Sequence, residues 1–209
     1  MAVSYPLSLT GLKNPRSVVI RRRAAVGVSA SSFTFQPQVY AWSGQIWSAE
    51  ITLAPMKRPD AEEWIAKLVS LNGREGNFLM GPDYAGATAR GIGTGTPVVK
   101  GASQTGYDLI TDGWTFSQTG IMKAGDWFQL GTGSSARLYK VVVDANSDGS
   151  GDSTITIWPK LRSSPADNAA LVVTGPVGRF VLASNETDWS IDGASIYGIS
   201  FSAVEDLRA

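Results

Sequence analysis

A single stretch of this chain carries the period of a helix, and it leaves the rest of the sequence to be sheet. Between Pro59 and Gly73 the apolar residues Ala61, Trp64, Ile65, Leu68 and Leu71 recur at spacings of three and four, which puts them on one face. Pro59 suits a first helical turn, Asp60, Glu62 and Glu63 complement the positive end of the helix dipole, and Asn72-Gly73 supplies a left-handed stop. Such a stripe has to be buried against another layer. Elsewhere, short runs rich in Val, Ile, Thr, Trp and Tyr alternate with Gly, Ser, Asn and Asp clusters, the pattern of antiparallel sheet. The runs at 17–23, 32–40, 45–53, 76–80, 127–130, 137–143, 153–158, 179–182 and 196–203 read as strands. The expected fold class is therefore mainly β with one flanking helix.

A length of 209 residues allows one large β domain or two modest ones. With 43% hydrophobic and 17% charged residues, the chain has ample material for a core. Its texture changes at about Tyr84, after which Gly, Ala, Thr and Pro dominate as far as Thr105, and a second turn dipeptide stands at Gly175-Pro176. These breaks predict a discontinuous β domain made of residues 1–83 and 176–209, with a second β domain inserted at residues 84–175.

The absence of whole residue types narrows the function. There is no cysteine, so no disulfide framework, thiolate metal site or thiol nucleophile can form. There is no histidine, which removes both the commonest general base near neutral pH and the commonest metal ligand. A pair of carboxylates can act without histidine, and Glu50, Asp112, Asp126 and Asp188 are the acids near aromatic residues, but no spacing favours any pair. Asp112 and Asp126 read as turn residues, in Thr111-Asp112-Gly113 and Ala124-Gly125-Asp126. The chain reads as not an enzyme, with no catalytic, cofactor-binding or metal-binding residue assigned. The 18 Lys and Arg balance the 18 Asp and Glu, which disfavours nucleic-acid binding as the primary role. The one dense basic run, Arg21-Arg22-Arg23, reads as solvated surface or an oligomer contact. Met1 to Leu12 lacks the features of a signal peptide, and no run of about 18 apolar residues occurs. The expectation is a soluble product without membrane insertion.

Three motifs invite sharper readings. Gly91-Ile92-Gly93-Thr94-Gly95 is glycine-rich like a phosphate loop, yet Thr96 to Val99 continues extended, so a connector is the better reading. Asp144, Asn146 and Asp148 stand at alternate positions with Gly149 sixth, as in a calcium loop, but the twelfth residue is Ile155 and the flanks are strands; a polar hairpin loop is favoured. Of the tryptophans at 42, 47, 64, 114, 127, 158 and 189, most read as core, and Trp42 and Trp114 are the two expected at the surface.

The order of these segments resembles the distal tail protein family of siphophages. The run starts at Trp47-Ser48-Ala49-Glu50-Ile51-Thr52-Leu53-Ala54-Pro55-Met56, passes the helix ending Leu71-Asn72-Gly73 and reaches Gly76-Asn77-Phe78. It continues through Lys123-Ala124-Gly125-Asp126-Trp127-Phe128 and Ile157-Trp158-Pro159-Lys160-Leu161-Arg162 to Tyr197-Gly198-Ile199-Ser200-Phe201 and Glu205. The resemblance implies a tail-tube-like β-sandwich or split barrel with one flanking helix, and a small inserted β-barrel or sandwich domain. It also implies a homo-hexameric ring at the virion tail tip, assembled in the host cytoplasm. That ring joins the tail tube protein to the baseplate hub protein, with tape-measure or receptor-binding proteins as further partners. DNA passes through its lumen without specific binding. The alternative reading is a carbohydrate-binding β-sandwich module or adhesin recognising host surface glycans.

Overall fold

In the computed structural model, which describes residues 3–82 and 89–208, the helical stripe lies against a sheet. The chain opens with β1 (Leu7–Ser8), β2 (Pro15–Ala30), β3 (Pro37–Leu53) and β4 (Met56–Lys57), then forms α1 (Arg58–Ser70) and β5 (Phe78–Met80). A second run follows as β6 (Gly95–Val99), β7 (Asp108–Trp114), β8 (Trp127–Leu130), β9 (Arg137–Val141), β10 (Ser153–Trp158) and β11 (Leu171–Val172). β12 (Gly178–Leu182), β13 (Trp189–Ile191) and β14 (Ile196–Glu205) end it. The fold is mainly β: a mixed sheet with one helix, and a second antiparallel sheet that nearly closes on itself.

The first sheet has eight strands, in the order β1-β5-β12-β14-β3-β2, with β13 and β4 also paired to β14. Among the described residues its only parallel pair is β1 with β5. Alternation does the sorting. Trp47, Ala49, Ile51 and Leu53 of β3 and Tyr197, Ile199, Phe201 and Ala203 of β14 point into one core. α1 covers that core with Ala61, Trp64, Ile65 and Leu68, and Leu71 at its C-cap is buried with them. Trp64 packs 6.0 Å from Phe201 and donates its indole N–H to the Lys13 carbonyl at 3.1 Å. Asn72 and Gly73 stop the helix at φ 50° and 64°, and a Cβ on Gly73 would lie 2.9 Å from Asn185 Oδ1.

The second sheet has six strands, in the order β11-β8-β9-β10-β7-β6. Its two edges meet through a bridge between Val98 and Ala170, with Val99 N–H donating to the Ala169 carbonyl at 2.9 Å, so the sheet approaches a barrel. A separate core of Leu109, Trp114, Phe128, Tyr139, Ile155, Ile157 and their neighbours fills it. The first sheet draws on residues 7–80 and 178–205, and the second on 95–172. The texture break at Tyr84 lies outside the described residues, while that at Gly175-Pro176 falls between β11 and β12.

The two cores meet at Trp47. Its ring lies 4.6 Å from that of Trp127 and 4.3 Å from that of Trp158, and its indole N–H donates to the Leu138 carbonyl at 3.1 Å. Its backbone N–H donates to Glu205 Oε2 at 3.1 Å, and Arg162 closes on the same carboxylate, with Nε 3.0 Å from Oε1 and a second guanidinium nitrogen on Oε2. Both side chains are almost wholly buried. Next to them, Asp206 accepts from Asn77 Nδ2 at 3.0 Å and from Arg208 Nε at 2.8 Å, with Arg179 Nε 3.2 Å away.

Three expectations change in detail. The run 32–40 is not a separate strand: a turn at 31–36 leads into β3, which continues unbroken through 45–53. Thr111, Asp112 and Gly113 are not a turn; they lie within β7, where Thr111 pairs with Ser153 and Asp112 with Val98. β1, β4, β6, β7, β11 and β13 have no counterpart in the strands expected from the sequence, because short or glycine- and polar-interrupted segments carry too little alternation to register.

Trp64→Ala, which empties a large buried site, is expected to lower the unfolding free energy by about 3–5 kcal/mol in urea titration. Burial raises the Asp206 carboxyl, but the bonds from Arg208 and Asn77 and the charge of Arg179 outweigh it and lower it from 3.8 to about 2. The folded value lies below the unfolded one, so this contribution is present above about pH 4 and is lost as the pH falls through about 2. It is worth about 2 kcal/mol. In acid titrations of stability, Asp206→Asn is expected to show correspondingly less loss between pH 4 and pH 2 than the parent.

Candidate functional site

Residues 24–49 contain no Asp, Glu, Lys or Arg. Most of them form the outer part of the β2–β3 hairpin, which runs on past the sheet as a two-stranded arm. Ala24 pairs with Gln45, then after a register shift Val26 with Ala41, Val28 with Val39, and Ala30 with Pro37. This is roughly 20 Å of ribbon beyond the last buried rung. The shift adds residues to β3 and re-aims the arm. Val26, Val28, Val39 and Ala41 share one face and are exposed. On the other, Trp42 is 62% exposed and crosses over Gly27, where a Cβ would lie 2.7 Å from Trp42 Cη2. At the tip, Phe35 sits at φ 54° and donates its N–H to the Ser31 carbonyl at 2.9 Å, a turn that leaves Phe33 94% and Phe35 82% exposed. A two-stranded ribbon has no core of its own, and nothing among the described residues covers these groups.

The sheet face turned away from α1 is of another kind. Register pairs Thr52 with Ser200, Glu50 with Ser202 and Ser48 with Val204, so the outward positions are mostly small hydroxyls. Arg21 on β2 bonds Glu50, with Nη1 2.6 Å from Oε1. That bond raises the Arg21 guanidinium and lowers the Glu50 carboxyl, and since both are solvent-exposed the pair adds little stability. Arg22 and Arg23, the rest of the triplet, form no ion pair among the described residues.

The candidate acids fall in two places. Glu50 and Asp188 line one open groove of about 450 Å³ together with Glu186 and Thr187. Asp112 and Asp126 are in the six-stranded unit. Asp126 is buried and accepts the N–H groups of Arg90, Gly91 and Lys123 at 2.8, 2.9 and 2.8 Å. The N–H groups of Ile92 and Gly93 go to the carbonyls of Gly120 and Ile121, both at 2.9 Å. The N–H groups of Gly91, Ile92 and Gly93, which a phosphate would need, are thus occupied by protein.

The calcium-like loop is likewise a turn. Asp144 Oδ1 accepts from Ala124 N–H and Asn146 Oδ1 from Gly120 N–H, both at 2.7 Å. Asp148 Oδ1 accepts from the N–H groups of Ser150 and Asp152 at 2.8 and 2.9 Å. The three side chains tie different backbone segments instead of converging, and no acidic cluster suited to a metal ion occurs among the described residues. Trp114, expected at the surface, is buried with its indole N–H 2.8 Å from Thr111 Oγ1. No helix among the described residues is long and apolar enough to cross a membrane. No protein-family model matches this sequence, and neither does any curated protein.

Trp42 is more exposed than Trp189, which stands at 39%. Trp42→Phe is expected to blue-shift the mean fluorescence and reduce acrylamide quenching. Stability should change by less than about 0.5 kcal/mol, as for a surface substitution.

Proposed function

We propose that this chain is a structural subunit of a siphophage tail tip, built to assemble and not to catalyse. In this reading six copies form a ring between the tail tube and the baseplate hub with its receptor-binding proteins, and DNA passes through the middle. The observation that carries it is the arm, a charge-free ribbon bearing Val28, Phe33, Phe35, Val39, Tyr40 and Trp42 in solvent. Exposed apolar surface of this extent, on an element with no core behind it, belongs in an assembly. The hydroxyl face of β3 and β14 supports the same reading. Its small polar groups suit a water-filled lumen, and the Arg21–Glu50 pair adds no net charge to hold phosphates. The strand β2 ends the first sheet, so its outer backbone groups are available to a neighbouring subunit.

A glycan-binding module is the second reading. It is favoured by one observation, Phe116, which stands 63% exposed beside an open groove of about 420 Å³ lined by Thr96, Gly113 and Thr115.

Light scattering followed by negative-stain imaging tests the first reading: a six-fold ring with a central hole is expected. A monomer at every concentration, with fluorescence quenched by host oligosaccharides, overturns it in favour of the second.

A further inference from the structure

Arginines and a lysine gather around Glu205 and Asp206, and they outnumber the carboxylates. Arg162 is held by Glu205, and Arg179 and Arg208 are held by Asp206. Arg137 and Lys160 form no ion pair among the described residues. Arg137 instead donates to the carbonyls of Asp206 at 2.9 Å and Arg208 at 3.4 Å, which accept hydrogen bonds but cancel no charge. Burial, and after it the charge of Arg179, pushes the Arg137 guanidinium below its usual value. A half-buried charge without a counter-charge costs free energy until an anion joins it.

Both of these cations line the same pocket. Arg137, Lys160, Leu161, Arg162, Ser163 and Leu207 enclose a cavity of about 480 Å³. Its walls are fixed from behind. Arg137 opens β9 and pairs with Leu130 of β8, while the Lys160 backbone N–H donates to Gln45 Oε1 at 2.9 Å. Arg162 is gripped by Glu205 and, through its backbone N–H, by the Tyr139 hydroxyl at 3.1 Å. Donors are left over: the Lys160 ammonium and Arg162 Nη1 bond no group among the described residues. The guanidinium of Arg137 also has more N–H groups than the two carbonyls take.

We propose that this pocket binds a phosphate dianion, free or as a monoester, between Arg137 and Lys160. A phosphate monoester carries about −1.5 to −2 charges at neutral pH, which matches two cations without acidic partners, whereas a single carboxylate leaves one of them over. The planar fork of Arg137 suits two phosphate oxygens and the Lys160 ammonium a third. Leu161 and Leu207 give the cavity an apolar wall, against which the carbon side of an ester packs. The site lies within one chain, so it holds whether or not the copies close into a ring.

Titration calorimetry with inorganic phosphate and with phenyl phosphate tests it, in buffers held at one ionic strength with chloride. Saturable binding at one site per chain is expected. Lys160→Gln is expected to weaken it about tenfold, as loss of one charge-assisted hydrogen bond does, and Arg137→Gln by at least as much. Thermal melts without phosphate check that each variant folds. The Lys160 ammonium makes no bond among the described residues, so Lys160→Gln decides the matter even where Arg137→Gln is unstable. Tighter binding of phenyl phosphate assigns the monoester, and equal affinity assigns the free ion. Acetate that binds as tightly as phosphate overturns the dianion. No heat beyond that of chloride, or binding that survives Lys160→Gln unchanged, overturns the site.

Discussion

The carboxylate of Glu205 holds the molecule together where its two cores meet. It accepts from two of the guanidinium nitrogens of Arg162 and from the backbone N–H of Trp47, and Trp47 in turn wedges its ring between Trp127 and Trp158. A buried bidentate pair of this sort is demanding, since removing one partner strands the other charge in a dry site. Its consequence is positional. β14 ends at Glu205 and Arg162 follows shortly after β10, so one carboxylate relates the end of the eight-stranded sheet to the rim of the six-stranded one. Asp206 extends the same cluster to Arg179, Arg208 and Asn77.

With the body set, the two ends of the eight-stranded sheet become the places where apolar groups are left over. One end carries the arm and the other carries β13, and neither is covered by the described residues. The wide sheet face between them is polar and small-featured. The arm is left as a ribbon with Phe33 and Phe35 exposed at its tip.

The sequence was most legible where a period was long. The helix stripe from Ala61 to Leu71 needed no tertiary information, because its spacing demands one buried face. Strands such as Trp127–Leu130 and Ser153–Trp158 were equally plain. The readings that failed were local ones. Asp112 and Gly113 resemble a turn, but pairing with β6 draws them into β7; Trp114 stands among polar residues and glycine, but its strand turns it inward onto Thr111. The arm was readable only in part: its β-forming residues are evident, yet alternation cannot say whether a strand's second face is covered.

From the sequence alone come the β class, the single helix and its buried face, and the lack of histidine and cysteine chemistry, because these follow from periodicity and composition. Tertiary structure alone decided that the Gly91 loop and the Asp144 to Asp148 loop spend their polar atoms on other backbone segments. It also decided that Trp47, Glu205 and Arg162 converge, and that the arm and β13 lie at opposite ends of one sheet. Each of these depends on which distant segments become neighbours, and that is set by strand order and register, which short-range pattern does not encode.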